Sequence, residues 1–154
     1  EDKLSETRNA IKNGADEIDY VVNLTKLKAG DTAYIESEMA RITDICREFS
    51  VVSKVIFENC YLTEDEKKTL CHIATKVKPD FIKTSTGFGT GGATFEDVAL
   101  MKRETEGSGV KIKAAGGIRT LKTALEMINL GVSRIGSTSS VAIMEEYMAN
   151  SPLL

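Results

Sequence analysis

At 154 residues, with 42% hydrophobic and 28% charged side chains, the chain has the size and make-up of one globular domain. A net charge of −3, with lysines and acids interspersed, excludes a basic nucleic-acid surface, and no stretch reaches the ~18–20 apolar residues of a membrane span. Three cysteines, Cys46, Cys60 and Cys71, without CxxC spacing argue against a disulfide framework or a zinc site and point to a reducing cytoplasm.

The sequence starts at Glu1 rather than Met and enters a helical pattern at once, which reads as a cut edge. Leu4, Thr7, Arg8 and Ile11 suit an amphipathic helix closed by Gly14. Glu17 to Val22 reads as the first strand. Asp31 caps a long helix carrying Ile35, Met39, Ile42, Ile45 and Phe49. Lys54-Val55-Ile56-Phe57-Glu58 is predicted as the second strand. Thr63-Glu64-Asp65-Glu66 has the form of a capping box, opening a helix to Val77. Phe81-Ile82-Lys83 follows as the third strand, a helix starts at Thr94, and Lys111 to Ala115 forms the fourth strand. A helix with Leu121, Ala124, Leu125 and Ile128 ends at Gly131, and Arg134-Ile135-Gly136-Ser137 precedes a last helix. Strict alternation of helix and strand with short links implies a parallel sheet covered by helices.

Side chains two apart in a strand share a face, so Asp19, Lys54, Glu58, Lys83 and Lys113 fall opposite the apolar faces that meet the helices. An open doubly wound sheet would bury those charges under helices, whereas a barrel interior accommodates them near the carboxyl ends of its strands. A lysine in such a place is easily deprotonated and becomes a nucleophilic amine. Lys54 and Glu58 read as a structural pair. His72 reads as a surface residue, with no acid–nucleophile pattern around it.

Ser85-Thr86-Gly87, Ala115-Gly116-Gly117 and Gly136-Ser137-Thr138-Ser139-Ser140 each follow a strand. Backbone amides at such turns suit a dianionic phosphate.

Phe81-Ile82-Lys83-Thr84-Ser85-Thr86-Gly87 and Lys111-Ile112-Lys113-Ala114-Ala115-Gly116-Gly117-Ile118-Arg119-Thr120 resemble the two signature strands of the deoxyribose-phosphate aldolases. Gly14 to Asp19, Lys54 to Glu58 and Arg134 to Gly136 are similar to that family's intervening strands, in the same order. The resemblance implies an α/β fold, a (β/α)8 TIM barrel in a single domain, here incomplete: five parallel strands with flanking helices, and the first three strands without counterpart. It implies a class I aldolase without metal or other cofactor. Such an enzyme cleaves 2-deoxy-D-ribose 5-phosphate to D-glyceraldehyde 3-phosphate and acetaldehyde in deoxyribonucleoside catabolism. Lys83 would then be the Schiff-base lysine, Lys113 the second lysine whose charge lowers the proton affinity of Lys83, and Asp19 the carboxylate of a proton relay. Gly87, Gly116, Gly117, Thr138 and Ser139 would bind the substrate phosphate, with Arg119 close by. Five parallel strands cannot close, so the expectation is either a fragment of a longer product or a homo-oligomer covering the open edges. The competing expectation is a truncated barrel that binds sugar phosphates without turning them over.

Overall fold

Seven α-helices and five β-strands, alternating except where two helices follow β1, make up a computed structural model that describes residues 2–150. Helix α1 (Asp2–Lys12) leads through Gly14, which takes a positive φ of 96°, into β1 (Glu17–Val21). The amides of Gly14 and Ala15 return to the carbonyls of Ile11 and Ala10, closing the helix as its terminal glycine suggests. Helix α2 (Leu24–Lys28), capped by the Asn23 side chain, is an additional element with no place in the sequence reading. Helix α3 (Thr32–Glu48) is capped by Asp31 as expected.

Strand β2 (Val52–Ile56) lies two residues earlier than its apolar run suggests. Glu58, expected inside it, stands beyond its end in a left-handed conformation, and a 3-10 turn at Asn59–Tyr61 follows. Helix α4 (Glu64–Val77) opens on the full capping box of Thr63 and Glu66. Then come β3 (Phe81–Lys83), α5 (Phe95–Glu104), β4 (Lys111–Ala115), α6 (Leu121–Asn129), β5 (Arg134–Gly136) and α7 (Ser140–Asn150).

The five strands form one parallel sheet in sequential order, β1 to β5. Its outer face carries Ile18, Tyr20, Val22, Val55, Phe57, Ile82, Ile112 and Ala114, all in one apolar core with Ile35, Met39, Ile42, Leu70, Val98, Met101 and Met127 of the helices. The inner face carries the charges. Lys83 is in register with Ile56 and Lys113, and Lys113 with Arg134.

In a flat sheet β1 and β5 would stand roughly 19 Å apart. Arg134 of β5 nevertheless hydrogen-bonds Glu17 of β1, so the sheet curls until side chains of its first and last strands meet over the concave face. This is curvature of the barrel type, and it accounts for charges on the inner face better than an open sheet does.

Past the ends of the strands the ladder continues through side chains. The buried Thr84 hydroxyl accepts from the Ala115 amide and donates to the Ala115 carbonyl, both at 3.1 Å. The loop after β3 then folds back over β4, where the Ala93 amide reaches the carbonyls of Ala115 and Gly116. At that crossing a Cβ on Gly92 would lie 2.3 Å from the Gly116 carbonyl oxygen. Gly92→Ala is therefore expected to force two backbones apart, at about 1–3 kcal/mol or more. A thermal melt checks this, and an unchanged Tm would show that the crossing yields freely.

Candidate active site

Asp19 of β1 is the hub of the inner face. Its Oδ1 accepts from Lys54 Nζ of β2 at 2.7 Å. Its Oδ2 accepts from Lys83 Nζ of β3 at 2.9 Å and from Lys113 Nζ of β4 at 3.2 Å. The two lysines singled out from the sequence thus share one carboxylate oxygen, and four successive strands each contribute one charged side chain to the cluster. Strand alternation produces this convergence directly.

The expected pairing of Lys54 with Glu58 does not form. The Lys54 side chain is 2% exposed and sits between Asp19 and Glu17, with Glu17 Oε2 at 2.6 Å. Glu58 instead accepts from the amide and hydroxyl of Thr86. The cause is where β2 ends: after Ile56 the chain leaves the pleat, and Glu58 no longer follows the alternation that carries Lys54 and Ile56 inward.

Burial pushes the Asp19 carboxyl upward, but hydrogen bonds from Lys54 and Lys83 and the charges of Lys83 and Lys113 outweigh it and leave the group far below the usual carboxylate range. Asp19 is therefore an anion at neutral pH, accepting protons in hydrogen bonds rather than holding one. Glu17 is drawn down to about 2, first by the hydrogen bond from Arg134 and then by that from Lys54. Burial lowers the proton affinity of Lys113; the attraction of Asp19 opposes this, and the charges of Lys83 and Lys54 add to it. Beneath the cluster Phe81 lies between cations, with the Lys111 ammonium 5.6 Å and the Arg134 guanidinium 4.8 Å from its ring centroid.

Above the cluster is a cavity of about 290 Å³. Lys83 and Lys113 line one part of it, and Thr86, Gly87, Gly116, Gly117, Arg119, Gly136, Ser137 and Thr138 are among the residues that line the rest. Gly87, Gly116 and Gly117 all have positive φ, the backbone state for which glycine is suited. Four of the five residues expected around a phosphate, Gly87, Gly116, Gly117 and Thr138, are thus gathered together. Ser139 is outside this lining, and its amide donates to the Ser137 hydroxyl at 2.9 Å. Thr86 and Ser137, which belong to two of the three phosphate-suited turns read from the sequence, also line the cavity. His72 is exposed and lies 3.2 Å from Glu104 on the helical surface. Cys46 and Cys71 are buried free thiols, pushed up to about 11 and about 12 by burial.

A half-buried amine pair bridged by a carboxylate, beside a glycine-lined cavity, is matched by comparison with known proteins. The family model described as DeoC/LacD family aldolase aligns with residues 1–138. The chain belongs to that family. It is 57% identical over 145 residues to a deoxyribose-phosphate aldolase of Lactobacillus acidophilus, covering 94% of this chain and 61% of that protein. Against a deoxyribose-phosphate aldolase of Thermococcus kodakarensis it is 50% identical, covering 93% of this chain and 63% of the relative. Among solved structures, an aldolase designated QR15 superposes with a TM-score of 0.87 at 42% identity, covering 96% of this chain and 65% of the other. A putative deoxyribose-phosphate aldolase from Coccidioides immitis gives a TM-score of 0.88 at 33% identity, over 95% and 58% of the two chains. This DeoC/LacD family chain therefore spans about three fifths of the length of the curated relatives it matches.

Proposed function

We propose that the protein is a class I aldolase that cleaves 2-deoxy-D-ribose 5-phosphate to D-glyceraldehyde 3-phosphate and acetaldehyde. The observation that carries this reading is the meeting of Lys83 and Lys113 on one oxygen of Asp19, at the wall of a cavity lined by glycine turns. The Lys83 amine attacks the aldehyde carbon, and loss of water gives an iminium. That cation takes up the electron pair as the bond between C2 and C3 breaks, while the C3 hydroxyl releases its proton and becomes the aldehyde of glyceraldehyde 3-phosphate. The remaining enamine is protonated at C2 and hydrolysed to acetaldehyde. Lys113, which gives up its proton more readily than an ordinary lysine, is suited to pass protons along this sequence, with Asp19 holding both amines in line. Gly87, Gly116, Gly117 and Thr138 take the phosphate, Arg119 adds charge, and Ser139 supports that turn through Ser137.

Incubation with the substrate and borohydride tests the assignment. A stable added mass is expected on the peptide that contains Lys83. An adduct on Lys113 alone, or none, overturns the assignment. Lys113→Leu is expected to slow turnover by about 10²–10⁴-fold, the usual worth of a positioned proton carrier. It also removes a cation beside the reacting amine, so the pH optimum should move upward; an unshifted optimum would argue against the coupling of the two amines.

The same reading includes a second copy of the chain as partner, supported by the two sheet edges at β1 and β5 and by the tetrameric structure of the deoxyribose phosphate aldolase from Aeropyrum pernix. Hydrodynamic mass decides this. A cytoplasmic location is supported by three free thiols, and among the described residues no helix is long and apolar enough to cross a membrane.

A further inference from the structure

Glu58 has two features that the aldolase chemistry above leaves unused. It is a non-glycine residue with φ 57° and ψ 58°, a strained backbone state that persists only where its surroundings impose it. It is also 5% exposed, and its carboxylate is engaged by neutral donors. Oε1 accepts from the Thr86 amide at 3.1 Å and Oε2 from the Thr86 hydroxyl. Thr86 lines the cavity, and its Oγ1 in turn accepts from the Phe88 amide at 3.0 Å. Gly89 passes so close that a Cβ there would lie 3.2 Å from Glu58 Oε1 and 2.7 Å from Cys60 Sγ. One residue on, the Asn59 amide donates to the Thr84 carbonyl at 2.9 Å. The segment after β2 therefore grips the loop after β3 both at its root and at its turn.

We propose that Glu58 is a positioning residue for the phosphate end of the site: it fixes the Thr86-Gly87-Phe88 turn so that Gly87 stays packed beside Gly116 at the cavity wall. This rests on the sugar-phosphate aldolase reading and adds to it the side chain that shapes the first of the glycine turns. An anion close to a phosphate site is unfavourable by charge alone. Its value here is geometric, because a carboxylate with two acceptor oxygens can hold an amide and a hydroxyl of the same residue at once. The strained backbone at Glu58 aims the side chain back at the loop instead of continuing the strand.

The test combines inorganic phosphate titration, followed by NMR on the 154-residue chain, with kinetics on 2-deoxyribose 5-phosphate and on unphosphorylated 2-deoxyribose. Glu58→Ala is expected to weaken phosphate binding about tenfold or more and to raise KM for the phosphorylated sugar in parallel. Its kcat/KM for 2-deoxyribose should stay within about threefold of wild type, and Glu58→Gln, which keeps shape and an acceptor oxygen, should restore phosphate binding to within about threefold. Equal losses on both sugars, phosphate affinity in Glu58→Ala within about twofold of wild type, or a wild-type chain that binds no phosphate would each overturn the proposal. Should Glu58→Ala fail to fold, Thr86→Val decides, with a rise in phosphate Kd of about fivefold supporting the role and anything smaller opposing it. Borohydride trapping at Lys83 in the wild type separates the fate of this proposal from that of the aldolase reading.

Discussion

Lys83→Leu is expected to lower retro-aldol turnover by about 10⁴-fold or more, the scale on which deletion of a covalent nucleophile acts. It should also erase the borohydride adduct. The fold should survive the change. Lys83 is 12% exposed in its side chain and ends a three-residue strand, and a leucine there faces Phe81 and Ile56 on the inner sheet. Asp19 would keep Lys54 and Lys113 as partners, so no charge is stranded. Loss of turnover with an unchanged melting temperature is thus the expected signature. A variant that unfolds, or that still forms the adduct on Lys113, would mean that Lys83 serves the sheet and that the nucleophile lies elsewhere.

Asp19→Asn is the second large effect, and it falls on stability and activity together. The substitution leaves Lys54, almost fully buried, with Glu17 as its remaining carboxylate, and it sets Lys83 and Lys113 side by side without an intervening anion. Breaking a buried ion pair by removing one partner costs about 3–5 kcal/mol; the part-exposure of Asp19 places the expected loss near the lower end. The pH dependence has a definite sign. The folded-state proton affinity of Asp19 is depressed, so its contribution is fully present above the ordinary carboxylate range, about pH 4, and disappears as pH falls through the lower folded value. Urea unfolding should therefore show wild type and variant far apart at pH 7 and converging as the solution is acidified below about pH 4. A gap independent of pH would mean that the loss is steric rather than electrostatic. Turnover should fall by about 10²–10⁴-fold, because the two amines lose the carboxylate charge that aligns them.

Alternation within strands made much of this site legible. Asp19, Lys83 and Lys113 share the inner face because each is offset correctly from the apolar residues that must meet the helices, and such offsets are fixed within a few residues of sequence. The order of elements was equally readable, since Gly14, Asp31, Thr63, Thr94 and Gly131 mark real helix ends. The end of β2 was not readable. Val55-Ile56-Phe57 continues the apolar run without a break, and only the left-handed turn at Glu58 shows that the strand has stopped. The partner of Lys54 was misassigned for that reason. Helix α2 had a signal, Asn23 followed by Leu24 and Leu27, but five residues are too few for a clear helical period. The contact between Glu17 and Arg134 joins residues 117 positions apart and depends on how far the sheet bends, which no local pattern encodes.

That contact ties the chemistry to the shape of the whole sheet. Glu17 lies two residues before Asp19 on the same inner row, and Arg134 is the register neighbour of Lys113. Any swing of β5 away from β1 therefore draws Lys113 off Asp19 before it disturbs Lys83, whose strand is closer to the middle of the arc. The outermost strands thereby set the spacing of the two amines, and because both ends of the tie are wetted, added electrolyte is expected to slacken it.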